Sequence, residues 1–425
     1  MPRRTWKRSY KWFRPGLGVK RWVLLLVVGV ILIGGGFGAL LCQMASLSTI
    51  AESLRLDFFP IWIIILLPIV LGVGLVVVGL GGLNRTLLSP FTHGDGEIVE
   101  ELYRYRRRGR GPKVVAIGGG HGLSALLRGL KSYTANTTAI VTVADDGGSS
   151  GRLRRALGVL PPGDFRNCIA ALADDEALTT QLFQYRFPSV DDEAGLGGHS
   201  FGNLFITAMM EVTGSFERAI LESSRVLAVQ GRVVPSTLES VTLLGDLRAE
   251  PATVSRVAGE SRITQTHGAI ERVYLEPSDP PAYPGAVRAI LEADLIVAGP
   301  GSLYTSVLPN MLVREIAQAI EASRATRVYV CNVATERGET DGYSVGHHMA
   351  ALERHVGKGL FQVVLANDNF EGIDPLPSGV EPVRLDIPSN ATYALHTVNL
   401  VDADHPWRHD SERLAHVLMQ LIEET

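Results

Sequence analysis

The chain has little cysteine, no strong charge of either sign and few of the short motifs that announce common catalysis. Only three of its 425 residues are cysteine: Cys42, Cys168 and Cys331, far apart in sequence. With no C-x-x-C pair and no even framework, a disulfide scaffold is excluded and a reducing compartment fits. Charged residues make up 20% and the formal net charge is -4. No overall basic field therefore argues for nucleic acid as a partner. The strict G-x-G-x-x-G spacing, a Walker Gly-Lys-Ser/Thr loop and H-E-x-x-H are all absent. No nucleophilic catalytic set, and no G-x-S-x-G elbow, is expected from the chain.

What it does have is two long apolar runs, Trp22 to Met44 and Ile61 to Leu83. They account for a mean hydropathy of +0.16. Each exceeds the roughly 20 residues that cross a bilayer as a helix. The first is too long for a signal-peptide core and a second follows closely, so a two-span anchor is expected. Arg3, Arg4, Lys7, Arg8, Lys11, Arg14, Lys20 and Arg21 precede the first run, and Arg55 alone occupies the connecting loop. Arg85, Arg104, Arg106, Arg107, Arg108 and Arg110 follow the second. The positive-inside rule then predicts both termini, and the soluble part, on the cytoplasmic side of the cell membrane. The expected organisation is a basic tail (1–21), a two-helix anchor in the lipid bilayer (22–83), a basic linker (84–112) and a nucleotide-binding domain (113–425).

From Lys113 onward, short V/I/L runs alternate with helical patterns. Val114 to Ile117, Thr138 to Val143, Leu295 to Ala298, Arg327 to Val333 and Phe361 to Ala366 read as buried strands. Such runs predict an α/β fold, Rossmann-like, with a mostly parallel sheet and helices on both faces. Right-handed crossovers gather the strand-to-helix loops at one edge, where ligands of such sheets bind.

Glycine-rich segments fall at those loops. Gly118-Gly119-Gly120-His121-Gly122 opens a helix directly after a strand, which suits backbone amides approaching an anion. A tight turn without ligand is the alternative. Asp145-Asp146-Gly147-Gly148-Ser149-Ser150-Gly151-Arg152 offers paired carboxylates for Mg²⁺ or a sugar hydroxyl, and Arg152 for phosphate. Caps of the next helix are the alternative. Asp164 reads as a helix N-cap, with Arg166 and Asn167 in the turn beyond. In Gly197 to Leu204, Asn203 suits an amide edge of a base or sugar, and His199 reads as a structural histidine. Gly299-Pro300-Gly301-Ser302 repeats strand, glycine loop, helix, and Ser302 and Thr305 are candidates for phosphate oxygens. Thr340 or Asp341 is expected to cap a helix, with His347 and His348 as surface polarity. Arg408 is a candidate for a diphosphate, with a surface ion pair as the alternative.

Together, Val115 to Ser124, Val141 to Arg152, Leu160 to Asn167, Gly198 to Asn203, Gly299 to Ser306 and Gly338 to Tyr343 resemble the YvcK-type gluconeogenesis factors. These share a superfamily with the 2-phospho-L-lactate transferases (CofD-like), and the resemblance runs from about Val114 to Leu421. It implies a Rossmann-like fold and binding of a UDP-sugar such as UDP-N-acetylglucosamine. It also implies influence on carbon flux, cell-wall precursor supply and cell shape, without catalysis. The transferase relatives instead imply a Mg²⁺-dependent phospholactyl transfer from a nucleotide-activated donor; no other cofactor is expected. Carried over by motif, Gly119, Gly120 and Gly122 meet the nucleotide or its phosphates. Asp145 and Asp146 match the transferases' acidic pair, Asn203 and Gly301 line the same cleft, and Arg408 suits the nucleotide-sugar. His121 stands where many members carry Thr or Ser. A homo-oligomer is expected.

Overall fold

The computed structural model describes residues 19–44, 61–88, 109, 111–174, 176–188, 195–249, 253–266, 268–370 and 376–423. Of the basic residues that set the expected orientation, all but Lys20, Arg21 and Arg85 lie outside these. Two compact units divide at 104/105.

The first unit holds two helices, Val19–Met44 and Ile61–Leu88. Within them Lys20–Leu41 and Ile65–Asn84 are long and apolar enough to cross a membrane. Their backbones approach where side chains vanish: a Cβ on Gly29 would lie 2.8 Å from Gly72 O, and one on Gly72 2.7 Å from Gly29 O. Gly36 meets Ile69 and Gly82 meets the Trp22 ring, so the two helices run antiparallel. Small residues permit this close van der Waals packing without a hydrophobic driving force.

The second unit is built on seven parallel strands. They are β1 (Val114–Gly118), β2 (Thr137–Val141), β3 (Arg232–Pro235), β7 (Leu295–Ala298), β8 (Thr326–Val330), β9 (Val363–Asn367) and β10 (Ala394–Val398). Their order is β10-β9-β8-β7-β1-β2-β3. The chain winds outward from β1 through β2 to β3, returns to the other side of β1 at β7, and winds outward again. The β1/β7 pair, with Ile117 beside Ala298, is thus the point at which winding reverses. All five strands read from the sequence are present. β1 and β7 are continuously apolar because helices cover both faces, and β1, β2 and β7 are buried at every residue.

The helix Gly120–Leu130 buries Leu123, Leu126, Leu127 and Leu130, an i, i+3, i+4, i+7 stripe. It packs against the terminal helix Ser411–Glu423, whose Leu414 and Leu418 are wholly buried. Gly129 sits at the crossing, where an added Cβ would collide with Ser411 O and lie 2.7 Å from Ala415 Cβ.

One element differs from the expectation of a single alternating sheet. Residues between β3 and β7 form an antiparallel arm of β4 (Thr242–Ala249), β5 (Thr253–Ala258) and β6 (Ala269–Glu276), ordered β5-β4-β6. Its strands alternate buried with exposed residues, β6 most plainly, so they lack the solid apolar runs of the main sheet. The helix Val345–Val356 also starts differently from expectation. Ser344, not Thr340 or Asp341, caps it in a capping box with His347. His348 is not surface polarity: it is fully buried, with Nδ1 2.9 Å from Ser344 O. Burial holds its pKa down to about 4.

The crossing at Gly129 generates a prediction. Glycine to alanine at an open helix position ordinarily gains about 1 kcal/mol. Gly129→Ala is instead expected to cost ~1–3 kcal/mol through overpacking, read as a lowered midpoint of thermal unfolding. An unchanged or raised midpoint would show that these two helices are not in backbone contact.

Candidate functional site

At the reversal point two turns face each other. β1 runs straight into the helix Gly120–Leu130, and β7 runs through Gly299, Pro300, Gly301 and Ser302 into the short π-helix Leu303–Val307. Gly120 (φ +63°) and Gly299 (φ +80°) adopt left-handed backbone that favours glycine. The turns touch: a Cβ on Gly122 would lie 2.5 Å from Pro300 O, and one on Gly301 3.5 Å from Gly119 O. Asn310 ties them, its Nδ2 donating to Gly118 O (3.0 Å) and Ser306 O (2.8 Å). Asn332, just past β8, grips Gly301 from both sides, accepting from its N–H (3.1 Å) and donating to its carbonyl (3.2 Å). The two turns border one cleft of about 710 Å³.

The cleft carries charges of both signs. Asp145, Asp164, Glu260, Glu336 and Asp402 line it among the acids, and Arg128, Arg337 and Arg408 among the bases. The helix Gly120–Leu130 opens onto it, with the Asp164 carboxyl already accepting from the Gly120 amide. The arginines are what favour an anion in this cleft. Asp164 is pushed up to about 7, chiefly by burial and then by Asp145, although the Gly120 amide hydrogen bond pulls the other way. Glu260, bonded to Asp145, is pushed up to about 9 by burial and by the neighbouring carboxyls. His121 is held below its ordinary value by burial and by Arg408, Arg166 and Arg128, which keeps the imidazole neutral. Behind the second turn, buried Glu339 accepts from Tyr304 N–H (3.1 Å) and from Thr305 Oγ1 (2.7 Å). Burial and Glu336 raise its carboxyl to about 8.

Of the residues named from the sequence, Gly119, Gly120, His121, Gly122, Asp145, Gly301, Ser302 and Arg408 line this cleft. Gly119 has a further reason to be glycine, since a Cβ there would strike the Asp164 carboxylate. The others stand elsewhere. Asp146 faces away from Asp145's cleft: its Oδ1 accepts from Ser261 N–H (3.0 Å) and Ser261 Oγ (2.7 Å). The expected Asp145–Asp146 pair for Mg²⁺ therefore does not converge on one ion. Among the described residues no group of three or more His, Cys, Asp or Glu is arranged to hold a metal. Thr305 is committed to Glu339 rather than to phosphate. Ser149 is buried against His199 Nδ1 (2.9 Å) and Asn203 Nδ2 (3.1 Å). Asn167 Oδ1 accepts from Arg166 Nη2 (2.9 Å) and Gln184 Nε2 (2.8 Å). Arg152 is exposed on the helix Gly148–Leu157 and does not reach the cleft wall. Gly299 shapes the turn by its backbone, where a Cβ would lie 2.8 Å from Val330 O.

Sequence reasoning missed Asp164, Glu260, Asn332 and Glu336 as cleft residues. Asp164 is not the N-cap it resembles: Pro162 holds that position, and Asp164 sits in the first turn with its carboxyl against Gly119 and Gly120. Asn332 and Glu336 follow a strand's carboxyl end, the same signal that marked the glycine loops. Glu260 carried no such signal, because the antiparallel arm that delivers it was not foreseen. The stretch Gly198-His199-Ser200-Phe201-Gly202 does fit the G-x-S-x-G spacing, against the expectation of none. Ser200 is nevertheless a helix cap, bonded by Arg166 Nη1 (2.6 Å), and His199 turns to Ser149 instead.

The raised Asp164 carboxyl makes stability pH-dependent. Its native pKa near 7 exceeds the unfolded value of about 4, so the folded state binds the extra proton. The resulting penalty is absent below about pH 4, grows as pH rises toward 7 and is complete above it. Asp164→Asn is expected to stabilise the ligand-free protein by on the order of 1–3 kcal/mol at pH 8. The gap should shrink at pH 5, as read by thermal unfolding at both values. A gap that is equal at the two pH values would refute the buried, proton-binding carboxyl.

Comparison with known proteins agrees with this architecture. Residues 114–423 match the family described as 2-phospho-L-lactate transferase CofD. The gluconeogenesis factor of Bacillus subtilis is 43% identical over 328 residues, covering 74% of this chain and 100% of that protein. A Nostoc protein that bears the gluconeogenesis-factor name in provisional form is 46% identical over 431 residues. That match covers 97% of this chain and 92% of its own length, so it extends into the N-terminal helices. A crystal structure of a member of the UPF0052 family from Bacillus halodurans is 42% identical with a TM-score of 0.66, covering 73% of this chain and 99% of that one. From cleft, fold and relatives together, the chain belongs to the CofD family, among its gluconeogenesis-factor members.

Proposed function

We propose that the chain is a membrane-anchored regulator whose cytoplasmic domain binds a UDP-sugar and thereby adjusts carbon flux, cell-wall precursor supply and cell shape. One observation carries the reading: the turns 118–122 and 299–302 converge on a single cleft at the reversal of the sheet. A diphosphate in this cleft would meet the guanidiniums of Arg128 and Arg408, beside the glycine turn that opens the helix Gly120–Leu130. Trp407, a half-buried ring on the same wall, offers a flat face for a base. The names of the gluconeogenesis-factor relatives support a regulatory role. The two apolar helices support the anchor, and the excess of basic residues before the first and after the second supports a cytoplasmic domain.

A second reading is favoured by the family match and by the carboxyls in the cleft: a transferase of the 2-phospho-L-lactate type using a nucleotide-activated donor.

Thermal-shift titration of the detergent-solubilised full chain distinguishes the two. UDP-N-acetylglucosamine is expected to raise the unfolding midpoint in a concentration-dependent way, without turnover. Arg408→Ala should weaken its binding about tenfold to a hundredfold, ~1.4–2.8 kcal/mol. Release of nucleoside monophosphate in the presence of Mg²⁺ and a phospholactyl acceptor would replace the regulator with the transferase. The anchor is tested by extraction: the protein should sediment with membranes through carbonate and salt washes and require detergent for release. A C-terminal reporter should respond as a cytoplasmic one.

A further inference from the structure

The antiparallel arm reaches the cleft at one residue. Glu260 opens the short helix Glu260–Gln265 that follows β5, and it lines the cleft beside Asp145 and Asp164. Two contacts hold that helix between the halves of the doubly wound sheet. Asp146, past the end of β2, accepts from both the N–H and the Oγ of Ser261 at 3.0 and 2.7 Å. Gly338, in the segment after β8, approaches so closely that a Cβ there would lie 2.5 Å from Thr264 O. Gly259, at φ +103°, turns the chain into the helix where any side chain would strike the Asp146 carboxylate. The neighbouring acids therefore divide the task. Asp145 faces the cleft, and Asp146 fastens the segment that brings Glu260 to face Asp145.

The cleft thus holds the arginines Arg128, Arg337 and Arg408 together with carboxyls that crowd at Glu260, Asp145 and Asp164. A second phosphate at the carboxyl end would add like charge to a crowded acidic wall. A hydroxyl both donates and accepts, so it can bond a crowded wall of carboxyls without adding charge to it. Resting on the reading of the cleft as a UDP-sugar site, we propose that Glu260 is the residue that selects for an uncharged, hydroxyl-bearing sugar on the nucleotide. Asp146 is a positioning residue that acts through it. The ligand then lies with its diphosphate toward the arginines and its sugar against Asp145 and Glu260.

Calorimetric titration of the full-length protein with UDP and with UDP-N-acetylglucosamine tests this, using wild type, Glu260→Ala, Asp146→Ala and Asp146→Asn. Wild type should bind the sugar nucleotide more tightly than UDP. Glu260→Ala should weaken UDP-N-acetylglucosamine about tenfold or more and leave UDP nearly unchanged, and the retained UDP binding shows that the variant is folded. Asp146→Ala should lose the sugar preference in the same way. Asp146→Asn keeps an acceptor for Ser261 and should restore it. Equal weakening of both ligands, or of neither, overturns the assignment of Glu260. So does a Mg²⁺-dependent component of binding that vanishes in Glu260→Ala, since Glu260 would then be a metal ligand. A wild type that binds UDP and UDP-N-acetylglucosamine equally overturns the sugar selection but leaves the nucleotide site standing. A wild type that binds neither overturns both.

Discussion

The close approach of two backbones at the β1/β7 pair is the constraint on which the cleft depends. Gly122 and Pro300 come within contact because neither turn carries a bulky side chain there. Asn310 then holds the Gly118 and Ser306 carbonyls, and Asn332 the amide and carbonyl of Gly301, in fixed orientation. A protein interior packed at crystal-like density leaves no slack for a methyl group at such a point. The glycines are therefore determined as much by the protein's own packing as by any ligand. Gly119 yields to Asp164, Gly122 to Pro300 and Gly259 to Asp146, while Gly120 is set by its left-handed backbone.

Burial of charge is the second theme, and it follows from the first. Closing the turns over the sheet edge removes Asp164, Glu260 and Glu339 from water, and desolvation is the largest cause of each raised carboxyl. The same burial keeps His121 neutral among arginines. Such clusters of perturbed groups in a cleft mark sites where a ligand completes the electrostatics. A strongly packed scaffold tolerates them because the surrounding core is large: β1 and the leucine face of the helix Gly120–Leu130 are wholly excluded from solvent.

The regulator and transferase readings draw on different parts of this one cleft. The arginines recognise a diphosphate whether or not a bond is broken afterwards. The carboxyl wall is what would differ in use: as a receptor for sugar hydroxyls in one case, and as part of the chemistry in the other. With Asp146 fastened to Ser261 rather than aimed into the cleft, the acidic pair of the sequence is two separate devices.

Alternation of apolar runs with helical stripes, and glycines at the strand ends, determined the α/β class, the five central strands and the location of both turns from sequence alone. These are local signals: a strand buried on both faces must be continuously apolar, and a turn that leaves a strand for a helix at close quarters must be glycine-rich. The two long apolar runs were legible for the same reason. Tertiary structure alone decided which polar side chains share the cleft. Asp145 and Asp146 are adjacent in sequence yet diverge in space, whereas Glu260 comes from an antiparallel arm more than a hundred residues downstream of Asp145. Side-chain direction and long-range docking depend on what each carboxylate packs against, and no periodicity in the chain encodes that.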